Sequence, residues 1–130
     1  MGSMRVALFE HERETQDLMR GAVNHPAGGH EVVSEARSFG GALHVISLMR
    51  DGFAEVDAVI LDPNIRNGVE DYHDAKIIVE RLRGLELTPK IITYSSVPIE
   101  AEVAGAPVDF HLFKGETRPF QYLGAVLSSF

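Results

Sequence analysis

Several polar residues of this sequence stand directly after short apolar runs. Glu10-His11 follow Val6-Ala7-Leu8-Phe9, and Asp62 closes Asp57-Ala58-Val59-Ile60-Leu61. Ser95 follows Lys90-Ile91-Ile92-Thr93-Tyr94, and Lys114 follows Phe110-His111-Leu112-Phe113. Acids, a hydroxyl and an ammonium form a working set for phosphoryl transfer. A carboxylate attacks phosphorus, a divalent cation offsets charge, and a lysine and a hydroxyl hold the transferred oxygens. Each residue alone has a plainer reading: Asp62-Pro63 as a turn pair, Lys114 as a solvated lysine, Ser95 or Ser96 as a loop hydroxyl. What carries the chemistry is that four apolar runs end in polar groups of complementary kinds.

The elements that must position them follow from patterning. A run apolar on both faces suits a buried parallel strand, so Val6–Phe9, Asp57–Asp62, Lys90–Tyr94 and Phe110–Phe113 are predicted strands. Glu31–Ala36 is a further strand, nearer an edge. Helical spacing is found from about Glu12 to Val23 (Leu18, Met19, Ala22, Val23), from Gly40 to Arg50, and from Tyr72 to Leu85. A short helix over Pro98–Ala104 and a closing helix over Arg118–Ser129, with Pro119 in its first turn, complete the series. Strand and helix alternate five times. That predicts an α/β, doubly wound, five-stranded parallel sheet of order 2-1-3-4-5, a flavodoxin-like (βα)5 fold. In such sheets ligands bind at the carboxyl ends of the strands, which is where residues 10, 62, 95 and 114 fall.

The bulk properties narrow the classes. With 130 residues, 45% of them hydrophobic and 24% charged, the chain suits one soluble domain. A net charge of −7 argues against a broad nucleic-acid-binding face. No cysteine is present, which excludes disulfides and thiol chemistry and fits a reducing, cytoplasmic setting. No apolar run reaches the ~20 residues of a membrane helix. Met1-Gly2-Ser3 reads as an expression-vector remnant before the natural Met4, so the domain spans 4–130. No G-x-G-x-x-G follows the first strand, and there is no P-loop or G-x-S-x-G elbow. Of the six histidines, His25, His30, His44 and His73 read as surface residues.

From Met4 onward the chain resembles response-regulator receiver domains of the chemotaxis-regulator kind. Gly29-His30-Glu31-Val32-Val33 is similar to the family's second-strand entry, and Asp57–Asn64 to its phosphoacceptor strand and turn. Ile91-Ile92-Thr93-Tyr94-Ser95-Ser96 is similar to the strand ending in a switch hydroxyl, and Phe113-Lys114 to the lysine-bearing strand end. The resemblance implies that Asp62 accepts a phosphoryl group from a histidine kinase or phosphotransfer protein. It implies Mg2+ held by Glu10, Asp62 and the Asn64 backbone carbonyl, with Ser95 and Lys114 engaging the phosphoryl group. Ser95 and His111 are the implied switch positions. The implied output is a changed face made by the fourth helix, fifth strand and fifth helix, which binds a downstream protein or a second copy. No membrane or direct nucleic-acid role is implied, and no enzyme activity beyond the domain's own phosphorylation and dephosphorylation. The chain ends at Phe130, just after the closing helix, as a stand-alone regulator or a domain cut from a longer protein would.

Three positions depart from the family pattern. His11 stands where a second acid is usual, and imidazole is a poor ligand for the hard Mg2+ ion. As a functional group His11 suits a softer metal or supplies a positive charge to pair with Asp62. His111 occupies the aromatic switch position, and Gly115 replaces the usual proline after the lysine. These departures keep a second reading open: a pseudo-receiver that binds proteins without phosphorylation. A third, a Mg2+-dependent Toprim-like phosphoesterase, is weakened because Asn64 stands where a second acid is needed.

Overall fold

The computed structural model describes residues 3–25, 29–63, 65, 73–95, 108–113 and 123–130. In chain order its elements are β1 (Arg5–Phe9), α1 (Arg13–Val23), β2 (Glu31–Ala36), α2 (Phe39–Arg50), β3 (Ala58–Leu61), α3 (His73–Arg83), β4 (Lys90–Ser95), β5 (Phe110–Phe113) and α4 (Leu123–Ser128). The strands form one parallel sheet in the order β2-β1-β3-β4-β5. This is the doubly wound architecture that strand–helix alternation predicts. Asn64, Lys114 and Gly115, the predicted helix over Pro98–Ala104 and the first part of the predicted closing helix lie outside the described residues.

The central strands are apolar on both faces because each face has its own core. Val6 and Leu8 of β1, with Ala58 and Ile60 of β3, pack under α1 and α4 through Met19, Val23 and Leu127. Ala7 and Phe9, with Val59 and Leu61, pack under α2 and α3 through Ile46, Ile78 and Leu82. Every residue of β3 is buried, whereas β2 alternates between exposed and half-buried positions until Ala36. The alternation marks β2 as the edge strand with one covered face. Among the described residues, two glycines take left-handed backbone at element boundaries, Gly29 before β2 (φ 72°) and Gly52 after α2 (φ 82°). Only glycine does so freely.

Ion pairs and capping side chains fix where the strands begin. The Arg5 guanidinium spans the Asp57 carboxylate, with Nε to Oδ2 at 3.1 Å and Nη2 to Oδ1 at 3.2 Å, and Arg5 N–H donates to the same Oδ2 at 2.8 Å. Asp109 accepts from the Ile91 N–H at 2.7 Å and from Arg83, which joins β4, β5 and α3.

Two expectations are corrected. Leu18 faces solvent, and α1 buries Gln16, Met19 and Val23 instead. Leu18 and Met19 are neighbours 100° apart, so a narrow stripe takes one of them. His30 is buried rather than a surface residue. Its Nδ1 accepts from Met4 N–H at 2.9 Å and its Nε2 lies 3.0 Å from Ser128 Oγ. Among the described residues, no helix is long and apolar enough to cross a membrane.

Candidate functional site

The parallel ladder delivers two carboxylates to one place. Where β1 ends at Phe9, Glu10 N–H continues the ladder by donating to Ala36 O at 3.0 Å. Where β3 ends at Leu61, Asp62 N–H donates to Phe9 O at 2.8 Å. Glu10 and Asp62 therefore leave adjacent central strands at the same level, and both are fully buried. The backbone then turns: Ile65 N–H donates to Asp62 O at 3.1 Å, and Glu12 N–H donates to Glu10 Oε2 at 3.0 Å.

His11 lies between the acids. Its Nδ1–H donates to Asp62 Oδ2 at 2.5 Å, and the same nitrogen is 3.3 Å from Glu10 Oε2. On the far side of the ring Nε2 is 3.9 Å from Glu12 Oε1. The ring is partly exposed, so it caps two buried carboxylates that face no solvent of their own. One ligand atom from each of Glu10, His11 and Asp62 falls within 4.8 Å of the others, close enough to share a metal ion.

The fourth wall is Tyr94. The β3–β4 register pairs Ala58 with Lys90 and Leu61 with Thr93, so the next residues in step are Asp62 and Tyr94. Tyr94 is buried, and it shares the core face of Ile60 and Ile92. Burial, and then the negative charges of Glu10, Asp62 and Glu12, push its phenol above the ordinary tyrosine value. Tyr94 was not among the residues the strand ends suggested. Counting from the starts of the two apolar runs, Asp57 and Lys90, would have set Ser95 opposite Asp62; the observed pairing of Ala58 with Lys90 sets Tyr94 there. Ser95 is the last residue of β4, one step beyond Tyr94.

On the opposite face of β4 the fully buried Thr93 meets His111 of β5, Oγ1 to Nδ1, at 2.8 Å. Glu10, His11 and Asp62 are thus brought together, and His111 is tied to β4 rather than to them.

The fold has close counterparts among solved structures. Over 98% of each chain it is similar to a response regulator receiver domain (CheY-like) from Methylobacillus flagellatus, with a TM-score of 0.73 and 21% identity. It is also similar to the phosphorylated cyanobacterial phytochrome response regulator RcpA, with 14% identity, a TM-score of 0.69, and 98% of this chain and 91% of that one covered. A third is the Mn2+-bound form of response regulator Rcp1, with 13% identity, a TM-score of 0.69, and 97% and 90% covered. No protein-family model matches the sequence, and no curated protein matches it. The fold is that of response-regulator receiver domains, held at low sequence identity.

Proposed function

We propose that this chain is a signalling receiver domain whose Asp62 accepts a phosphoryl group. The observation that supports this most is the meeting of two fully buried carboxylates, Glu10 and Asp62, at the carboxyl ends of the adjacent inner strands β1 and β3. In an ordinary core such a pair is costly, because two like charges share a dry site. The pair has a use where a cation and a phosphoryl group come and go. The phosphorylated RcpA and Mn2+-bound Rcp1 structures, which share the fold, lend the reading weight.

The acceptor step is nucleophilic. An Asp62 oxygen attacks the phosphorus of a donor phosphohistidine, the P–N bond breaks, the histidine nitrogen takes a proton, and an acyl phosphate forms. Glu10, Asp62 and His11 are the residues that would hold a divalent cation, with the Asn64 carbonyl as a further donor. When bound, the cation offsets the charge of the carboxylates and the phosphoryl oxygens. Two carboxylates suit Mg2+, while the imidazole suits a cation that accepts nitrogen. Lys114 and Ser95 are proposed to hold the transferred oxygens. His11 must first release Asp62, since its ring nitrogen holds the oxygen nearest to it.

Phosphorylation adds about two negative charges. The proposed readout is the face that includes β5 and α4, which would change its affinity for a downstream protein or a second copy. The donor is a histidine kinase or phosphotransfer protein.

The test is incubation with acetyl phosphate and a divalent cation, followed by intact mass analysis. A hydroxylamine-labile phosphoryl adduct, absent from Asp62→Asn, is the expected result. One specific contact favours the alternative, a phosphorylation-independent protein-binding module: the 2.5 Å hydrogen bond that ties His11 to Asp62. No adduct from acetyl phosphate or from a phosphohistidine donor, with any divalent cation, would select that alternative.

A further inference from the structure

We infer that the Glu10–His11–Asp62 cluster is a mixed nitrogen–oxygen cation site that discriminates against Mg2+ in favour of divalent ions accepting imidazole, such as Co2+, Zn2+ or Mn2+. The inference rests on the proposed acidic pocket and adds which cation fills it.

The geometry is specific. The two carboxylates come from different strands and are fully buried, so the ladder holds them in place. His11 follows Glu10 directly, and its Nδ1 points inward, 2.5 Å from Asp62 Oδ2 and 3.3 Å from Glu10 Oε2. Ligand atoms around one ion at ~2.0–2.2 Å sit roughly 3–4 Å from each other. A cation entering here needs the Asp62–His11 contact to open by under about 2 Å on that scale. The Nδ1 proton leaves to solvent as the ion takes its place.

The donor set then decides the ion. Mg2+ demands near-octahedral oxygen donors at ~2.0–2.1 Å and parts with water reluctantly. An imidazole that projects into the shell removes one oxygen position and offers nitrogen instead. Ions later in the first transition row gain from that exchange, in the order Mn2+, Co2+, then Zn2+ or Ni2+. Glu12 Oε1 lies 3.9 Å from His11 Nε2, on the outer side of the ring where carboxylates behind ligating histidines commonly stand. The strand-end positions of Glu10-His11 and Asp62 point to this site, and the pairing of β1 with β3 sets their ligand atoms within 4.8 Å of one another.

The test compares the wild-type chain with His11→Asp, both checked for folding by circular dichroism. Mg2+, Mn2+ and Co2+ are titrated into each by calorimetry, and the Mn2+-loaded proteins are examined by electron spin-echo spectroscopy. The expected result is saturable wild-type binding of Co2+ and Mn2+, a Co2+:Mg2+ affinity ratio at least about tenfold higher than in His11→Asp, and 14N coupling on Mn2+ that the variant lacks. Equal ratios in the two proteins, absence of 14N coupling, or no saturable binding of any of the three ions overturns the inference. The outcome is separable from phosphorylation. Cation binding without an acyl phosphate would sink the acceptor role alone, and an acyl phosphate formed with equal ion ratios would sink the selectivity alone.

Discussion

At Tyr94 three carboxylates act on one phenol. Burial raises its ionisation above the ordinary value, and Glu10, Asp62 and Glu12 raise it further. The folded state therefore holds this proton more tightly than the unfolded chain does. The stability it contributes is fully present below the unfolded value near pH 10 and is lost as pH rises through the folded value. Two measurements check this. Ultraviolet titration should show one phenol ionising late, and its contribution should vanish in Tyr94→Phe. Urea midpoints between about pH 9 and 11 should fall more steeply for the wild type than for Tyr94→Phe. Parallel slopes would mean that the folded state holds the phenol proton no more tightly than the unfolded chain does. Legibility at this scale divides cleanly. Glu10 and Asp62 were readable because an acid that closes an apolar strand has little else to do there. Tyr94 was hidden because its partner is set by where β3 and β4 begin, which no local pattern fixes. His30 was hidden because a histidine after Gly28-Gly29 reads as loop, while its partners lie at the two ends of the chain.

Among the elements, the strands were legible nearly to the residue, because runs apolar on both faces have one destination in a doubly wound sheet. The helices were legible as existing but not always in their facing, as Leu18 shows. Strand registration was the least legible feature, and polar side chains have a large part in it. Asp57, just before β3, is held by Arg5 of β1 through its side-chain and backbone hydrogen bonds, which outweigh partial burial and lower its ionisation below the carboxylate norm. A depressed folded value means stability that is present above the unfolded value near pH 4 and is lost as pH falls through the folded one. Asp57→Asn is therefore expected to lower the urea midpoint at pH 7 and to flatten its decline on the acid side. The effect at pH 7 is modest, because both partners are partly exposed and solvent screens the pair. Because Asp57 also sets how β3 starts against β1, the variant should broaden the amide resonances of Glu10 and Asp62 at the far end of the same strands. Unchanged resonances there would confine Asp57 to a local role.

For the whole molecule the question is what closes a sheet whose two faces carry separate cores. On the α1/α4 side the chain's beginning and end are joined through one side chain. His30, just before β2, accepts from the Met4 N–H with Nδ1, which places its proton on Nε2, 3.0 Å from Ser128 Oγ near the end of α4. One buried ring thus ties the approach to β1, the entry of edge strand β2 and the closing helix. A buried hydrogen-bonding group that loses its partner costs about 1–3 kcal/mol. His30→Ala strands two partners and leaves a void, so a loss of about 3 kcal/mol in urea unfolding is expected. The loss should also be distributed in a recognisable way. Amide exchange should quicken across Leu123–Ser128 and Glu31–Ala36 and stay near wild type in α2 and α3, which pack on the other core. Since α4 belongs to the face proposed to carry the output, the same variant should weaken partner binding while an Asp62 acyl phosphate still forms. Uniform quickening over both faces would show that the two cores unfold as one unit and that His30 is no latch.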